Sequence, residues 1–435
     1  MSRTAPGASW LRWPDDLRGR ALWVVVGCLV CQMGLGYGYV FGPLAKPLLD
    51  EFGWSRAEYS GMRLPQLALM AAVSPFVGVA SVRFGARPIL IASTGLLGLA
   101  FAAVARIDAL WQLYLLVMLQ GVLAQGLGDI SVGQVVSRWT RQSRGLALGI
   151  VYTGSNLGGS LFSRVAAWLD ASDSWRTAFA ALGLGGAALM LPCALWLVRD
   201  RPAQLRVVAR GTPPAALEGT PPAAPGGTPP AALEGEADDL DLRAALRTRS
   251  FWVLGFSLFA FFFYFVGLLE HLVLFLTDGG MPLVEAAGHL SNAIALGIAS
   301  KIGFGLLADR MPPRAAMLLD YGLLALSSLL LLALPDARLL WPFVAVWGIA
   351  TAARDVVTPL MIVECFGLRH LAPIYGAVML ALLPGGGLGP LFAATLHDRT
   401  GSYAGAFAVF AVLNAMSFAS LFLLRRERRG ARAAA

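Results

Sequence analysis

The chain has few charged residues and few cysteines. Aspartate, glutamate, lysine and arginine make up 14% of its 435 residues, whereas hydrophobic residues make up 57%. Soluble globular proteins carry about 25% charged residues, so the composition excludes an ordinary soluble enzyme and a disordered protein. Four cysteines, Cys28, Cys31, Cys193 and Cys365, are too few for a disulfide scaffold. They lie in or beside apolar runs, where a free thiol packs as a small hydrophobic group.

Several catalytic motifs are also absent. The sequence contains no Walker A motif, no HExxH and no GxSxG, which argues against ATP-driven transport and against an enzyme. We expect no cofactor, no metal site and no obligate protein partner. The net charge is +8, but the basic tail Arg425–Arg432 has no interleaved aromatic residues, so we expect no nucleic-acid partner.

Long apolar runs, by contrast, fill almost the whole chain. A helix needs about 20 apolar residues to cross the hydrocarbon core of a bilayer. The sequence predicts an all-α membrane protein with twelve transmembrane helices, at residues 21–48, 57–82, 87–105, 109–136, 145–169, 175–198, 250–276, 284–308, 315–335, 340–366, 371–396 and 403–424.

A Pro/Gly/Ala-rich segment divides these helices into two sets of six. The sequence GTPPAALEG occurs at 211–219 and again at 227–235, and such a low-complexity stretch cannot bury a core. The predicted divisions are an N-terminal tail at 1–20, a six-helix half at 21–198, a disordered linker at 199–249, a second six-helix half at 250–424 and a basic tail at 425–435.

Basic residues predict the orientation. Most lysines and arginines outside the spans fall in the two tails, the linker and the loops on the same side, and such residues favour the cytoplasm. We therefore expect a protein of the cell membrane, the inner membrane of a bacterium, with both termini and the linker cytoplasmic.

The two halves carry a repeated motif after their second helices. Its residues are Gly78, Arg83, Gly85 and Arg87 in the first copy, and Gly305, Asp309, Arg310 and Arg314 in the second. Glycine allows two helices to approach closely. An acid among arginines can form ion pairs between helices that break when the two halves rock against each other. Parallel six-helix repeats are typical of secondary transporters. The loops resemble motif A of the major facilitator superfamily, which implies a gating role; Val82 replaces the acid in the first copy.

Further motifs resemble the monocarboxylate porter and oxalate/formate antiporter branches of that superfamily. They are F-G-P-x-x-K-P at 41–47, F-G-W-S at 52–55, H-L-V at 271–273 and G-S-Y at 401–403. The resemblance implies a small organic anion as substrate, with Lys46 in anion and proton handling and His271 in the cavity. Lys46 is alternatively an interfacial lysine, and His271 a helix-packing residue.

Charged residues inside the spans are the candidate functional groups, since they are costly unless paired or used. The chain has two lysines, and Lys301 lies deep in the eighth span. The related branches typically have Arg at this position and Asp one turn earlier, where this chain has Gly297. We predict that Lys301 contacts the substrate anion; the alternative is a structural ion pair with an acid elsewhere.

The tenth span adds a polar face. Trp347, Thr351, Arg354 and Thr358 share it by their spacing, which predicts that Arg354 faces a cavity. Asp355 points about 100° away and is expected to pair with another helix. Alternatively, Arg354 and Asp355 form a structural ion pair.

Other spans supply further candidates. Asp129, Asp355 and His271 are predicted proton-coupling residues. Arg354, His271 and Tyr264, which shares a face with His271, are further candidate substrate-binding residues beside Lys301. Asp129 is alternatively an ion-pair partner of a basic residue. Arg63 and Arg164 are expected at the interface. The run Pro384–Pro390 predicts a break or bend in span eleven, either a hinge or close packing.

These patterns predict an alternating-access secondary transporter that couples a small organic anion to protons, as in symport of a lactate- or pyruvate-like monocarboxylate. Anion exchange of the oxalate/formate type and efflux of a larger aromatic or drug-like compound are the alternatives. A transport-like membrane sensor is a further one, since fold does not determine function.

Overall fold

The computed structural model describes residues 15–140, 143–199, 239–308, 310–334, 337–367 and 370–427. Those residues form helices and turns, and none of them lies in a strand. The helices are α1 (Arg20–Gln32), α2 (Ala45–Phe52), α3 (Arg56–Ser60), α4 (Arg63–Phe84), α5 (Ala86–Ala103), α6 (Leu110–Leu127), α7 (Asp129–Trp139), α8 (Arg144–Ser172), α9 (Trp175–Trp196), α10 (Leu242–Ala245), α11 (Arg249–Asp278), α12 (Leu283–Ala308), α13 (Pro313–Leu332), α14 (Leu340–Phe366), α15 (Leu371–Met379), α16 (Leu382–Thr400) and α17 (Ala404–Ser420). A 3₁₀ segment, Met33–Tyr39, continues α1.

The helices have the length and apolarity of membrane spans. In the described parts of the chain, 10 helical stretches are long and apolar enough to cross a bilayer, and each falls on a predicted span. Helices α4 and α8, of 22 and 29 residues, occupy the remaining two predicted positions. At 1.5 Å per residue both exceed the ~30 Å thickness of a hydrocarbon core. The all-helical membrane fold predicted from the sequence is confirmed.

Each set of helices has its own hydrophobic core. One core is formed almost entirely by residues between Leu17 and Val198, and the other by residues between Leu240 and Leu424. We call these sets the N-group and the C-group. They meet along two seams, where α8 packs against α12 and where α3 and α4 pack against α16.

The chain segments that flank the central linker lie on one side of the bundle. There the Trp139 indole donates to the carbonyl of Arg199 at 2.6 Å, and the Leu240 amide donates to the carbonyl of Phe366 at 3.0 Å. We call this the linker side and the opposite end the far side. The contacts between the two groups are not evenly distributed between these two sides.

Glycines allow α8 to cross the first span closely. A Cβ atom on Gly158 would lie 2.2 Å from the backbone oxygen of Met33, and one on Gly154 would lie 2.3 Å from that of Leu29. Backbone atoms cannot move aside as a flexible side chain can. A tight crossing is therefore present at Gly154 and Gly158, and it fixes α8 on the N-group side of the seam.

The break in the eleventh span lies at Leu380 and Ala381, four and three residues before Pro384, rather than within the glycine run. Pro384 has no N–H to donate to the carbonyl one turn earlier, so the helix is interrupted there. The glycines lie inside α16 and allow close packing. A Cβ on Gly389 would lie 2.1 Å from the Phe263 carbonyl oxygen of α11. The packing alternative thus accounts for the glycines, and Pro384 accounts for the break.

The crossing of α8 predicts a position-dependent effect of a single methyl group. Gly158→Ala should destabilise the protein by about 1–3 kcal/mol, because the added methyl overlaps backbone atoms. Gly149→Ala is the matched control on the same helix, since no described atom lies within 4 Å of its Cβ position; it should be neutral or gain up to ~1 kcal/mol of helix propensity. Unfolding of the detergent-purified variants measures both, and equal melting temperatures would contradict the crossing.

Candidate functional site

A cavity lies at the seam between the N-group and the C-group. It has a volume of about 80 Å³ and is bounded by α8, α11, α12, α14 and the end of the first span. Its polar lining residues are Ser155, Asn156, Lys301, Thr351, Arg354 and Asp355. The aromatic residues Tyr39, Phe261, Phe265 and Trp347 also line it. We call it the central cavity.

The central cavity contains one acid between two cations. The Lys301 ammonium lies 3.0 Å from one Asp355 carboxylate oxygen, and the Arg354 guanidinium donates to the other. Lys301 also lies 3.4 Å from the Tyr152 carbonyl oxygen. The side chains of Lys301 and Arg354 are each 12% exposed. The three formal charges leave a net charge of one positive unit in a partly dry site.

The acid partner of Lys301 lies on α14 and not on its own helix, α12. A Cβ on Gly297 would lie 2.4 Å from the Asn156 amide nitrogen and 3.0 Å from Ala352 Cβ. A larger residue would therefore collide with α8 and α14, and Asp355 supplies the carboxylate instead. Lys301 thus forms the ion pair given as its alternative and also lines the central cavity, whereas its contact with a substrate anion stays a prediction.

Arg354 is held by aromatic rings and leaves part of its hydrogen-bonding capacity unused. Its guanidinium carbon lies 5.0 Å from the centre of the Phe261 ring and 4.9 Å from that of Phe262, distances typical of cation–π contact. Its Nε has no hydrogen-bond partner among the described residues, and neither has the indole nitrogen of Trp347. Lys301 has three N–H donors and two described partners. Unused donors of this kind suit a carboxylate.

A second cavity adjoins the first. It has a volume of about 300 Å³ and shares Tyr39 and Phe265 with the central cavity. Its polar lining includes Arg63, Gln66 and Gln120. The two cavities together extend from the cationic site towards the far side along the N-group.

The structure does not bring all the predicted site residues to the central cavity. Tyr264 is fully buried within the C-group, where its hydroxyl lies 3.0 Å from the Ser327 hydroxyl. Lys46 lies on the far side in α2, paired with Asp50 at 3.3 Å. Thr358 is fully buried and, unlike the other members of its predicted face, is not in the lining of the central cavity. These three therefore do not line the central cavity.

His271 belongs to a polar contact near the far side. Its Nδ1 lies 2.9 Å from the Tyr403 hydroxyl, and its Nε2 lies 3.0 Å from the Pro390 carbonyl oxygen and 3.2 Å from the Ser60 hydroxyl. Ser60 is in the N-group and the other two are in the C-group. The helix-packing alternative for His271 describes this geometry.

The expectation that Arg63 is interfacial is wrong. Arg63 is 7% exposed and forms an ion pair with Glu270 of α11, which is 1% exposed. The pair joins the two groups. Sequence position placed Arg63 at the end of a span, but α11 covers it from the other group. Arg164, also expected at the interface, donates to the Asn292 side chain across the α8–α12 seam at 2.8 Å.

A second ion pair closes the far side. Arg56 lies 2.7 Å from Asp278 and also donates to the Tyr403 hydroxyl. Asp398 accepts from the Ala57 amide at 2.8 Å. Burial alone would lower the pKa of the Arg56 guanidinium, but Tyr403 and Asp278 outweigh it and hold that pKa above its ordinary value. We call Arg56, Arg63, Glu270, His271 and Asp278 the far-side gate.

The repeated motif lies on the linker side. Arg87 donates to the Leu195 carbonyl at 2.7 Å and Arg314 to the Phe422 carbonyl at 2.8 Å, each within its own group. Arg83 lies over the Phe84 ring, Arg310 is exposed, and Gly85 links α4 to α5 with φ +88°. No described atom lies within 4 Å of a Cβ on Gly305, so the expected close approach is not made in this conformation.

Some predicted residues lie outside the described part of the chain. They are Asp309, the side chains of Val82 and Asp129, and the surroundings of Gly78. The ion pairs between helices at the repeated motif and the proton-coupling role of Asp129 stay predictions.

The comparisons with known proteins agree with this architecture. The family model of the Major Facilitator Superfamily matches residues 22–353. Mouse monocarboxylate transporter 11 is 31% identical over 414 residues, which cover 89% of this chain and 83% of that one. The gallate transporter of Pseudomonas putida is 24% identical over 313 residues, 69% of this chain and 68% of that one. A bacterial homologue of the human lysosomal transporter Spinster, solved in an inward-facing and unoccupied conformation, superposes with a TM-score of 0.71 at 18% identity, covering 93% of this chain and 97% of that one.

The far-side gate predicts a large cost for breaking its buried pair. Glu270→Gln leaves the Arg63 guanidinium buried without a counter-charge and should cost about 3–5 kcal/mol of stability. Replacing both residues, as Arg63→Met with Glu270→Leu, should recover most of that loss. Thermal unfolding in detergent measures the three variants.

Asp50→Asn is the control for the gate experiment. Asp50 is 64% exposed in its pair with Lys46, and losing an exposed pair costs less than ~1 kcal/mol. An effect of Glu270→Gln no larger than that of Asp50→Asn would show that the buried pair does not hold the gate.

Proposed function

The chain belongs to the Major Facilitator Superfamily, and we propose that it carries a small organic anion across the cell membrane by alternating access, as a proton-coupled monocarboxylate symporter. The observation that carries the proposal is the excess positive charge of the central cavity. Lys301 and Arg354 share a single acid, Asp355. A monocarboxylate supplies the one negative charge that the site lacks.

The position of the site supports transport rather than storage of an anion. Lys301 is on α12 of the C-group, and Asn156 and Tyr39, from the N-group, line the same cavity. A ligand at Lys301 therefore contacts both groups. Alternating access requires a site of this kind, placed between two bodies that rock against each other.

The distribution of contacts between the groups supports an alternating mechanism. The hydrogen bonds and ion pairs that the structure describes between the groups run from the Lys301–Tyr152 contact to the far side. The charge bias of the loops favours a cytoplasmic linker side. On that orientation, this conformation is closed to the outside and represents the state that exchanges substrate with the cytoplasm.

Two features favour a second candidate substrate class, aromatic monocarboxylates. The adjoining cavity of about 300 Å³ offers room beside the Phe265 and Tyr39 rings for a group larger than the methyl of pyruvate. One relative is a gallate transporter, and gallate is an aromatic monocarboxylate. The carboxylate would occupy the same place at Lys301 in either class.

Transport in proteoliposomes tests the proposed function. Labelled lactate, pyruvate, formate, oxalate and gallate are offered with and without an inward proton gradient. We expect the gradient to drive accumulation of a monocarboxylate. Uptake that requires a preloaded anion and ignores the gradient would support exchange instead, and no uptake of any of the five would contradict an anion carrier of this class.

The substrate role of Lys301 is tested by Lys301→Gln. Removing the ammonium should weaken carboxylate binding by about 2–5 kcal/mol, which is roughly 30-fold or more in affinity. Arg106→Gln, a change at an exposed arginine on the far side, is the control for loss of one positive charge. Unchanged affinity and flux in correctly inserted Lys301→Gln would exclude the lysine as an anion ligand.

A further inference from the structure

A buried carboxyl group lies behind the central cavity. Asp320 is on α13, which packs against α14, and it is 2% exposed. Its Oδ1 has no hydrogen-bond partner among the described residues, and the neighbouring Tyr321 hydroxyl has none either. An ionised carboxylate is costly to bury without hydrogen bonds, whereas a neutral carboxylic acid is much less so. The geometry therefore favours the protonated form of Asp320 in this conformation.

The charges that face Asp320 are those of the substrate site. Helix α14 carries Arg354 and Asp355, both of which interact electrostatically with Asp320. Helix α12 also contacts α13 and carries Lys301, which is bound to Asp355. Helix α17 packs on α13 as well and has no titratable residue between Ala404 and Ser420. Asp320 is thus an acid whose charge is coupled to the central cavity but which is not part of the Lys301–Asp355–Arg354 contact.

The charges of Lys301, Arg354, Asp355 and Asp320, together with any bound anion, sum to zero in two states. With Asp320 protonated, Lys301, Arg354 and Asp355 leave one positive charge, and a bound monocarboxylate cancels it. With Asp320 ionised and no anion bound, the four charges also sum to zero. The two mixed states, proton without anion and anion without proton, each leave one uncompensated charge.

We propose that Asp320 is the proton-binding site that couples the proton to the anion, an inference that rests on the proposed symport function. Closing the cavity removes water from the charges, and an uncompensated charge inside a membrane protein opposes that step. The doubly loaded carrier and the empty carrier reorient because both are neutral. The carboxylate takes up a proton from the side where the anion binds and returns it to water on the other side, so the charges of Lys301, Arg354, Asp355 and Asp320 again sum to zero.

The proposal predicts that Asp320→Asn converts the symporter into an exchanger. Asparagine keeps the neutral form permanently, so the anion-loaded carrier still reorients but the empty carrier keeps its positive charge. In proteoliposomes with radiolabelled pyruvate and gallate, exchange against preloaded anion should stay within about threefold of wild type. Net uptake driven by a proton gradient should fall roughly 60-fold or more, equivalent to ~2.5 kcal/mol at 1.4 kcal/mol per tenfold.

Asp50→Asn is the matched control, because it removes an exposed acid from the far side; both transport modes should be retained. If Asp320→Asn retains gradient-driven uptake, the inference is overturned while the symport function stands. Wild-type exchange without any effect of the gradient would overturn the symport function and the inference with it. Wild type that transports neither probe would contradict the proposed function, and the spectroscopic test below would then decide the protonation of Asp320 alone.

Infrared spectroscopy, with the spectrum of each variant subtracted from that of the wild-type protein, tests the protonation of Asp320 without a transport assay. At neutral pH the wild-type protein should show the carbonyl stretch of a protonated, buried carboxylic acid. That band should be lost in Asp320→Asn and shifted in Asp320→Glu. If the asparagine variant does not fold, the shift in Asp320→Glu is the test. A band unchanged in both variants, or no such band in wild type, would contradict a proton held at Asp320.

Discussion

One carboxylate shared by two cations inside the membrane is the interaction on which this protein's mechanism depends. Asp355 contacts both Lys301 and Arg354, so the cluster is held together but keeps one positive charge. A charge left uncompensated in a membrane interior is costly. Among the described residues no second acid contacts Lys301 or Arg354, so the missing negative charge has to come from a bound anion or from the ionised carboxylate of Asp320.

The far-side gate shows the opposite arrangement. Arg63 with Glu270, and Arg56 with Asp278, are one-to-one pairs that bridge the two groups and need no ligand. Neutral pairs of this kind hold one conformation, because separating them exposes unpaired charges. The contrast between balanced pairs at the gate and the unbalanced cluster in the cavity distinguishes the residues that join the two groups from those that we propose to bind the anion.

Much of the fold could be predicted from local patterns, whereas the contacts of the site could not. Apolar runs and repeated loops are sufficient to place the helices, and a lysine deep in a span predicts a cavity residue at Lys301. The burial of Arg63 depends on Glu270, 207 residues away, and no local pattern reveals that contact. Asp355 was expected to face away from Arg354 by helical spacing, but long arginine side chains bend back, and the two form a contact. Asp320 is not among the residues predicted from the sequence, although an ionisable residue inside the span 315–335 meets the criterion that singles out Lys301; only the packing of α13 against α14 relates it to the cavity.

The charges of the substrate site are expected to sum to zero whenever the two groups reorient, and the electrical response of uptake tests this most directly. Proteoliposomes loaded with potassium and treated with valinomycin impose a membrane potential with or without a proton gradient, while uptake of labelled pyruvate or gallate is recorded. The account predicts that the proton gradient drives accumulation and that the potential alone changes neither its rate nor its extent. Accumulation driven by the potential in the absence of a proton gradient would contradict the charge balance of Lys301, Arg354, Asp355 and Asp320.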